Sequence, residues 1–283
     1  MKALSGATLA GCGAILLWGL LALFTAAADG VPPFQLTAMT FAIGGFAGLA
    51  IVLARGRANL LKASPAAWAV GTGGLFLYHA VYFAALKLAP PAEASLIAYL
   101  WPLLIVLFSA LLPGEKLLPK HIAGALLGFA GVAALGLGKS GFGFEPKFLA
   151  GYALAFACAF IWSSYSVLSR RLAEVPTEAV AGFCLATAAL SAICHLLFES
   201  FAWPGSPSTW LAILALGLGP VGAAFFLWDF GVKKGDIRFL GVASYAAPVI
   251  STLALIAAGA AEATLALALA CGLIAAGAMA AAR

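Results

Sequence analysis

Residues 95–115 read SLIAYLWPLLIVLFSALLPGE, and residues 241–262 read GVASYAAPVISTLALIAAGAAE. Each stretch is long and apolar enough to cross, as a helix, a bilayer core about 30 Å thick. Each carries a tyrosine three residues ahead of a proline, and Tyr99 and Pro102 match Tyr245 and Pro248 at a constant offset of 146 positions. A glutamate ends each apolar run, 13 residues after Pro102 and 14 after Pro248. Proline inside a helix has no N–H to donate and crowds the carbonyl one turn earlier. Pro102 and Pro248 are therefore expected as helix breaks or hinges that leave the carbonyls of Ala98 and Ser244 partly free. Freed backbone groups persist in a bilayer only where protein or a wet cavity satisfies them. Matching breaks in two halves of a chain point to the central site of a transporter.

The remaining composition agrees with a membrane setting. Of the 283 residues 64% are hydrophobic and 9% charged, against roughly a quarter charged in soluble domains. Mean hydropathy is +1.10. Apolar runs predict ten spans, at 4–26, 34–54, 66–87, 92–112, 119–138, 148–169, 178–198, 208–230, 238–258 and 263–282. Short connections with Pro and Gly separate them, and the first run is expected to be retained as a span rather than cleaved. With the N-terminus inside, twelve Lys and Arg residues lie on the cytoplasmic side, and Lys87, Lys139 and Lys147 lie outside. Both termini are thus expected in the cytoplasm of an inner (plasma) membrane protein. The net charge of +5 is a topology signal and not a nucleic-acid surface, because the basic residues are scattered over loop ends.

An internal repeat sets the architecture. Lys87 matches Lys233, Tyr82 matches Trp228, and Gly131 matches Gly277 at the same offset of 146, while Trp18 and Trp162 each precede a proline by 14 positions. Residues 1–138 and 146–283 read as two five-helix repeats, the second inverted because an odd number of spans reverses the entry side. The fold class is an all-α integral membrane protein.

Depth sorts the candidate residues. Trp68, Trp203, Trp210 and Trp228 fall near predicted span ends, where an interfacial belt is the ordinary role. Trp18, Tyr78, His79, Tyr82, Tyr99, Trp101, Trp162 and Tyr245 lie deeper, where phenol and indole polar groups need partners that lipid lacks. With Ala98 and Ser244 they form the expected substrate-binding set, the two carbonyls suited to an ammonium and the rings to a flat or apolar side chain. Tyr78 and Tyr82 share a helix face, and a mid-membrane histidine such as His79 is a site candidate by default. Asp229, near a span end, is expected to pair with Lys233 one turn on. The five cysteines have no metal-ligand spacing and read as packing residues. No cofactor, metal, disulfide or catalytic residue is expected.

The ten spans, the two inverted halves, the Trp in the first span of each half and the Pro in the fourth resemble the drug/metabolite transporter superfamily. More narrowly, PLLIVLFSALLPGEKL (102–117) resembles the EamA-type exporters, and the second copy carries the pattern with one extra residue before Glu262. The aromatic central spans are similar to the YddG-type exporters of aromatic amino acids in that group. The resemblance implies a transporter, not an enzyme. It exports amino acids with large apolar or aromatic side chains by alternating access, as a facilitator or exchanger. The alternative is a proton-driven exporter of lipophilic cations or drugs. Small multidrug carriers of the superfamily depend on a mid-membrane carboxylate, and no predicted span carries one at its centre. An intramembrane hydrolase lacks convergent catalytic groups, and a channel lacks polar rings. The partners expected are the small-molecule cargo and the bilayer, without nucleic acid, and the chain is expected to act as a monomer.

Overall fold

A computed structural model describes residues 4–137, 145–259 and 262–282. Lys2, Lys139 and Arg283 of the charge count, and position 138 of the fifth predicted span, lie outside them. Among the described residues every regular element is helical. Among the described residues seven continuous helical stretches, some joining two shorter helices, are long and apolar enough to cross a membrane.

The chain runs α1 (Gly6–Gly19), α2 (Leu21–Ala27), α3 (Pro33–Ala54), α4 (Pro65–Leu88), α5 (Pro91–Ala98), α6 (Trp101–Ser109) and α7 (Pro119–Leu137). It continues through α8 (Leu149–Arg171), α9 (Val180–Phe198), α10 (Pro207–Leu218), α11 (Ala224–Lys234), α12 (Ile237–Ala243), α13 (Ala246–Ala257) and α14 (Leu265–Ala282). The prolines that separate the apolar runs in sequence open helices. Pro33, Pro65, Pro91 and Pro207 occupy first-turn positions, where a missing N–H costs nothing. Ser5, Ser64 and Ser206 cap α1, α4 and α10 by accepting a first-turn N–H.

The prolines inside the apolar runs fall beside interruptions of the helix. Between α5 and α6 the Leu100 N–H tightens onto the Ile97 carbonyl, and a new helix starts with Pro102 in its first turn. The same event separates α12 from α13, with Tyr245 bonded to the Val242 carbonyl three residues back. A third break escaped the sequence reading of 208–230 as a single straight span: Gly219–Ala223 forms a π-turn around Pro220. Proline cannot supply the N–H due one turn back, so the chain takes in an extra residue and resumes as α11.

Four long-range packings hold the bundle: α3 on α9, α7 on α14, α4 on α8, and α1 on α11. Large apolar side chains such as Leu196, Leu197, Phe46 and Leu149 point outward and are more than half exposed. That is the surface a lipid environment covers. Small residues permit the closest approaches. A Cβ on Gly277 would sit 2.5 Å from the Gly124 carbonyl oxygen, and one on Gly124 would sit 2.7 Å from that of Gly277. The Gly124–Gly128–Gly131 series thus marks a helix seam, as its small-residue spacing suggests.

Candidate functional site

The breaks and packings leave a cavity of about 550 Å³ among α1 to α6, α8, α10, the π-turn, α11 and α13. Its inner wall is aromatic. The ring of Trp18 lies 5.5 Å from that of Trp162 and 6.4 Å from that of Trp101, both edge-on. Tyr78 packs 5.2 Å from Trp162 and stacks almost parallel on Tyr82, one helical turn along the same face. Phe41 stacks on Phe225 at 5.3 Å, and Phe225 in turn packs 5.9 Å from Trp162. Such edge-to-face and offset arrangements are the favoured geometries for aromatic side chains.

Several polar groups on this wall are tied down. Trp18 Nε1 donates to the Pro220 carbonyl at 3.1 Å, linking α1 to the π-turn. Tyr82 and Ser95 share a hydrogen bond of 2.8 Å. His79 Nδ1 lies 2.7 Å from the Leu75 carbonyl on its own helix. Ala98, whose carbonyl Pro102 cannot serve, lines the cavity beside Tyr99 and Trp101. The hydroxyls of Tyr78 and Tyr99 have no partner among the described residues.

Of the residues predicted from sequence, the structure brings together Trp18, Tyr78, His79, Tyr82, Ala98, Tyr99, Trp101 and Trp162 around one space. Ser244 and Tyr245 lie elsewhere. The Ser244 hydroxyl donates to the Leu240 carbonyl, and its own carbonyl accepts the Ala247 N–H at 3.1 Å, so it is not free as expected. The tight turn before Pro248 closes on itself. Tyr245 is fully buried with its ring against Gly128, and its hydroxyl accepts the Leu103 N–H at 3.2 Å. It supports the α6 start from behind.

Trp228 corrects the reading in the other direction. Expected in an interfacial belt, it is wholly buried, packs 5.1 Å from Trp18, and donates from Nε1 to Ser166 at 3.1 Å. Its repeat match to Tyr82 was the available signal. Trp203, by contrast, is 71% exposed, as a belt residue should be. The sequence reading missed Phe41, Phe225, Thr37 and Thr40, because single Phe and Thr residues in an apolar helix carry no distinguishing pattern.

The two ends of the cavity differ. Asp29, Gly30 and Pro33 line one end, at the α2–α3 connection. The helix ends on the opposite side are knitted together by charge. Arg170 on α8 donates to Glu115 at 2.5 Å and to the carbonyls of Val232 and Gly235, both at 2.8 Å. Arg238 approaches the other Glu115 oxygen at 3.4 Å. Nearby Lys233 pairs with Asp229 at 2.9 Å, the expected one-turn partner, and Thr177 donates to the same carboxylate. These contacts join the α6–α7 connection, α8 and the α11–α12 turn. Charge pairs at this depth hold a geometry more than they add stability.

An aromatic cavity inside a bundle of apolar helices, lined out to one end and pinned shut at the other, defines a small-molecule membrane transporter. The chain belongs to the EamA-like transporter family, whose model matches residues 5–137 and, a second time, residues 149–283. It is 63% identical over 276 residues to a protein of Ancylobacter novellus named aromatic amino acid exporter YddG, covering 97% of this chain and 96% of that one. A protein of the same name from Salmonella typhimurium is 27% identical over 87% of this chain and 86% of its own length. A solved crystal structure superposes with a TM-score of 0.95 at 62% identity, covering 99% of this chain and 97% of the other.

Proposed function

We propose that this protein exports amino acids with aromatic or large apolar side chains across the inner membrane, by alternating access, as a facilitator or exchanger. The observation that carries the reading is the cavity. Its volume suits a cargo of that size, its inner wall is rich in tryptophan, tyrosine and phenylalanine, and among the described residues no lysine or arginine lines it. Stacking supplies affinity for a flat side chain without demanding one particular ring. The naming of the Ancylobacter relative as an aromatic amino acid exporter supports the same cargo.

The architecture we infer is ten spans in two inverted repeats, 1–138 and 146–283. The double match of the family model supports this. So does the pattern of packing, in which exchanging the two halves carries α4 on α8 into α1 on α11 and leaves α3 on α9 and α7 on α14 unchanged. Transport then follows from rocking of the halves about the cavity. Opening the far end requires Glu115 to release Arg170 and Arg238. Most of the basic residues fall at loop ends on that far side, which supports a cytoplasmic position for it and for both termini by the positive-inside rule. One chain holds a whole cavity, so the monomer suffices.

Counterflow uptake into proteoliposomes tests the reading, with labelled phenylalanine, tryptophan, threonine and a lipophilic cation run in parallel. Saturable exchange of the aromatic amino acids without an imposed proton gradient is expected. Uptake of the cation alone, and only with a gradient, would reassign the protein to drug export.

A further inference from the structure

The polar groups facing the cavity are unevenly supplied with hydrogens. Thr37 and Thr40 lie on one face of α3, and both donate their hydroxyl hydrogens back to their own helix. Thr37 bonds the Pro33 carbonyl at 2.7 Å and Thr40 the Leu36 carbonyl at 2.8 Å. Each hydroxyl therefore presents only lone pairs to any ligand. His79 follows the same logic. A carbonyl can only accept, so the ring nitrogen 2.7 Å from the Leu75 oxygen, Nδ1, carries the hydrogen. A neutral imidazole has one hydrogen, and Nε2 is left as a bare acceptor. Asp29 adds a carboxylate at the mouth, and among the described residues no lysine or arginine lines the space.

We propose that this acceptor wall, centred on His79 Nε2 with Thr37 and Thr40, binds the ammonium group of the cargo. It follows that the transporter also carries arylalkylamines, which keep the ring and the ammonium but lack the carboxylate. Arylalkyl acids, which keep the carboxylate but lack the ammonium, are rejected. The inference rests on the amino-acid reading above and goes beyond it in substrate class.

Chemistry on both sides of the ligand agrees. An ammonium here meets lone pairs, and the electron-rich faces of nearby indoles attract it further. A carboxylate alone would face those same lone pairs and ring faces with only neutral phenol and indole hydrogens to hold it. The free hydroxyls of Tyr78 and Tyr99 can complete the binding of a zwitterion, but they have no cationic help in holding an anion.

Two measurements on the full-length protein test this, with 2-phenylethylamine, 3-phenylpropionate and phenylalanine as probes. The first is ligand-dependent thermal stabilisation in detergent, and the second is competition against labelled phenylalanine in counterflow. Phenylethylamine is expected to act within about tenfold of phenylalanine, and phenylpropionate about a hundredfold more weakly, the range of one or two charge-assisted hydrogen bonds. His79→Phe keeps a ring against Phe41 and Phe225 and should weaken the amine about tenfold. His79→Gln, which restores an acceptor oxygen, should recover part of the loss. Phenylpropionate binding as well as the amine, or an unchanged amine response in His79→Phe, would overturn the proposal. Stabilisation by phenylethylamine without phenylalanine exchange would support the ammonium wall and remove the amino-acid reading. No stabilisation by phenylethylamine would remove the wall, whatever phenylalanine does.

Discussion

The indole of Trp18 donates its hydrogen to the carbonyl of Pro220, 3.1 Å away and 202 positions along the chain. The bond pins α1 to the π-turn at the inner wall of the cavity. Proline at 220 makes the turn irregular, and the tryptophan uses what the irregularity exposes. Trp18→Phe keeps a large ring but loses this donor. Counterflow should slow about two- to tenfold, the worth of one net hydrogen bond, while the protein still elutes as a monodisperse peak in detergent. A normal rate would show that the link is incidental to transport.

Glu115 is the hub of the closed end, receiving Arg170 at 2.5 Å and Arg238 at 3.4 Å. Glu115→Gln keeps the shape and removes the charge. The closed end should weaken by about 1–3 kcal/mol, since the partly exposed pair is discounted from a fully buried one. Hydrogen exchange of backbone amides at 110–118 and 235–239 should rise in this variant and remain unchanged at 28–36. Equal protection in the parent and in Glu115→Gln would mean that the ion pairs do not hold this end.

Asp236 caps α12, accepting the N–H groups of Arg238 and Phe239. Burial alone would raise its carboxyl pKa, but the Phe239 N–H and the Arg238 guanidinium outweigh it and hold the group below the usual carboxylate value. A depressed folded-state pKa means stability that is present above the unfolded pKa and lost as pH falls through the folded one. Asp236→Ala should therefore cost about 1 kcal/mol near neutrality. In melting curves the gap between variant and parent should narrow as the medium is acidified. A gap that widened in acid would contradict the assignment.

At the α7–α14 seam, the Cβ of an alanine at 277 would meet the Gly124 carbonyl oxygen at 2.5 Å, a backbone atom that cannot swing aside. Gly277→Ala should lower the melting temperature, with overpacking costing about 1–3 kcal/mol. An unchanged melt would show that the seam can open without cost.

Much of this site was legible because its chemistry is rare in lipid. A proline pair at matched places, a histidine in mid-helix and tyrosines on one helix face each contradict the ordinary composition of a spanning segment. Tyr78, His79, Tyr82, Tyr99 and Trp101 could be chosen on that ground. The symmetric expectation failed at Ser244 and Tyr245 because the second turn closes its own hydrogen bond. Sequence spacing cannot reveal which of two equivalent breaks stays open. Trp228 was hidden by its position near a predicted span end. The helix that resumes after the π-turn at Gly219–Ala223 runs on to Lys234, and Trp228 is wholly buried within it. Phe41 and Phe225 are ordinary lipid-phase residues until packing brings them face to face.

The central claim is that the cargo sits among the aromatic rings of the cavity. Its most direct test is saturable phenylalanine counterflow by the unaltered protein, set beside Tyr78→Ala and Trp101→Ala reconstituted at equal density. Removing either ring should raise the half-saturating concentration at least about tenfold, as expected from lost apolar burial and ring contact. Both variants should still insert and remain monodisperse. Saturation curves that superpose on the parent's would place the cargo somewhere other than this cavity.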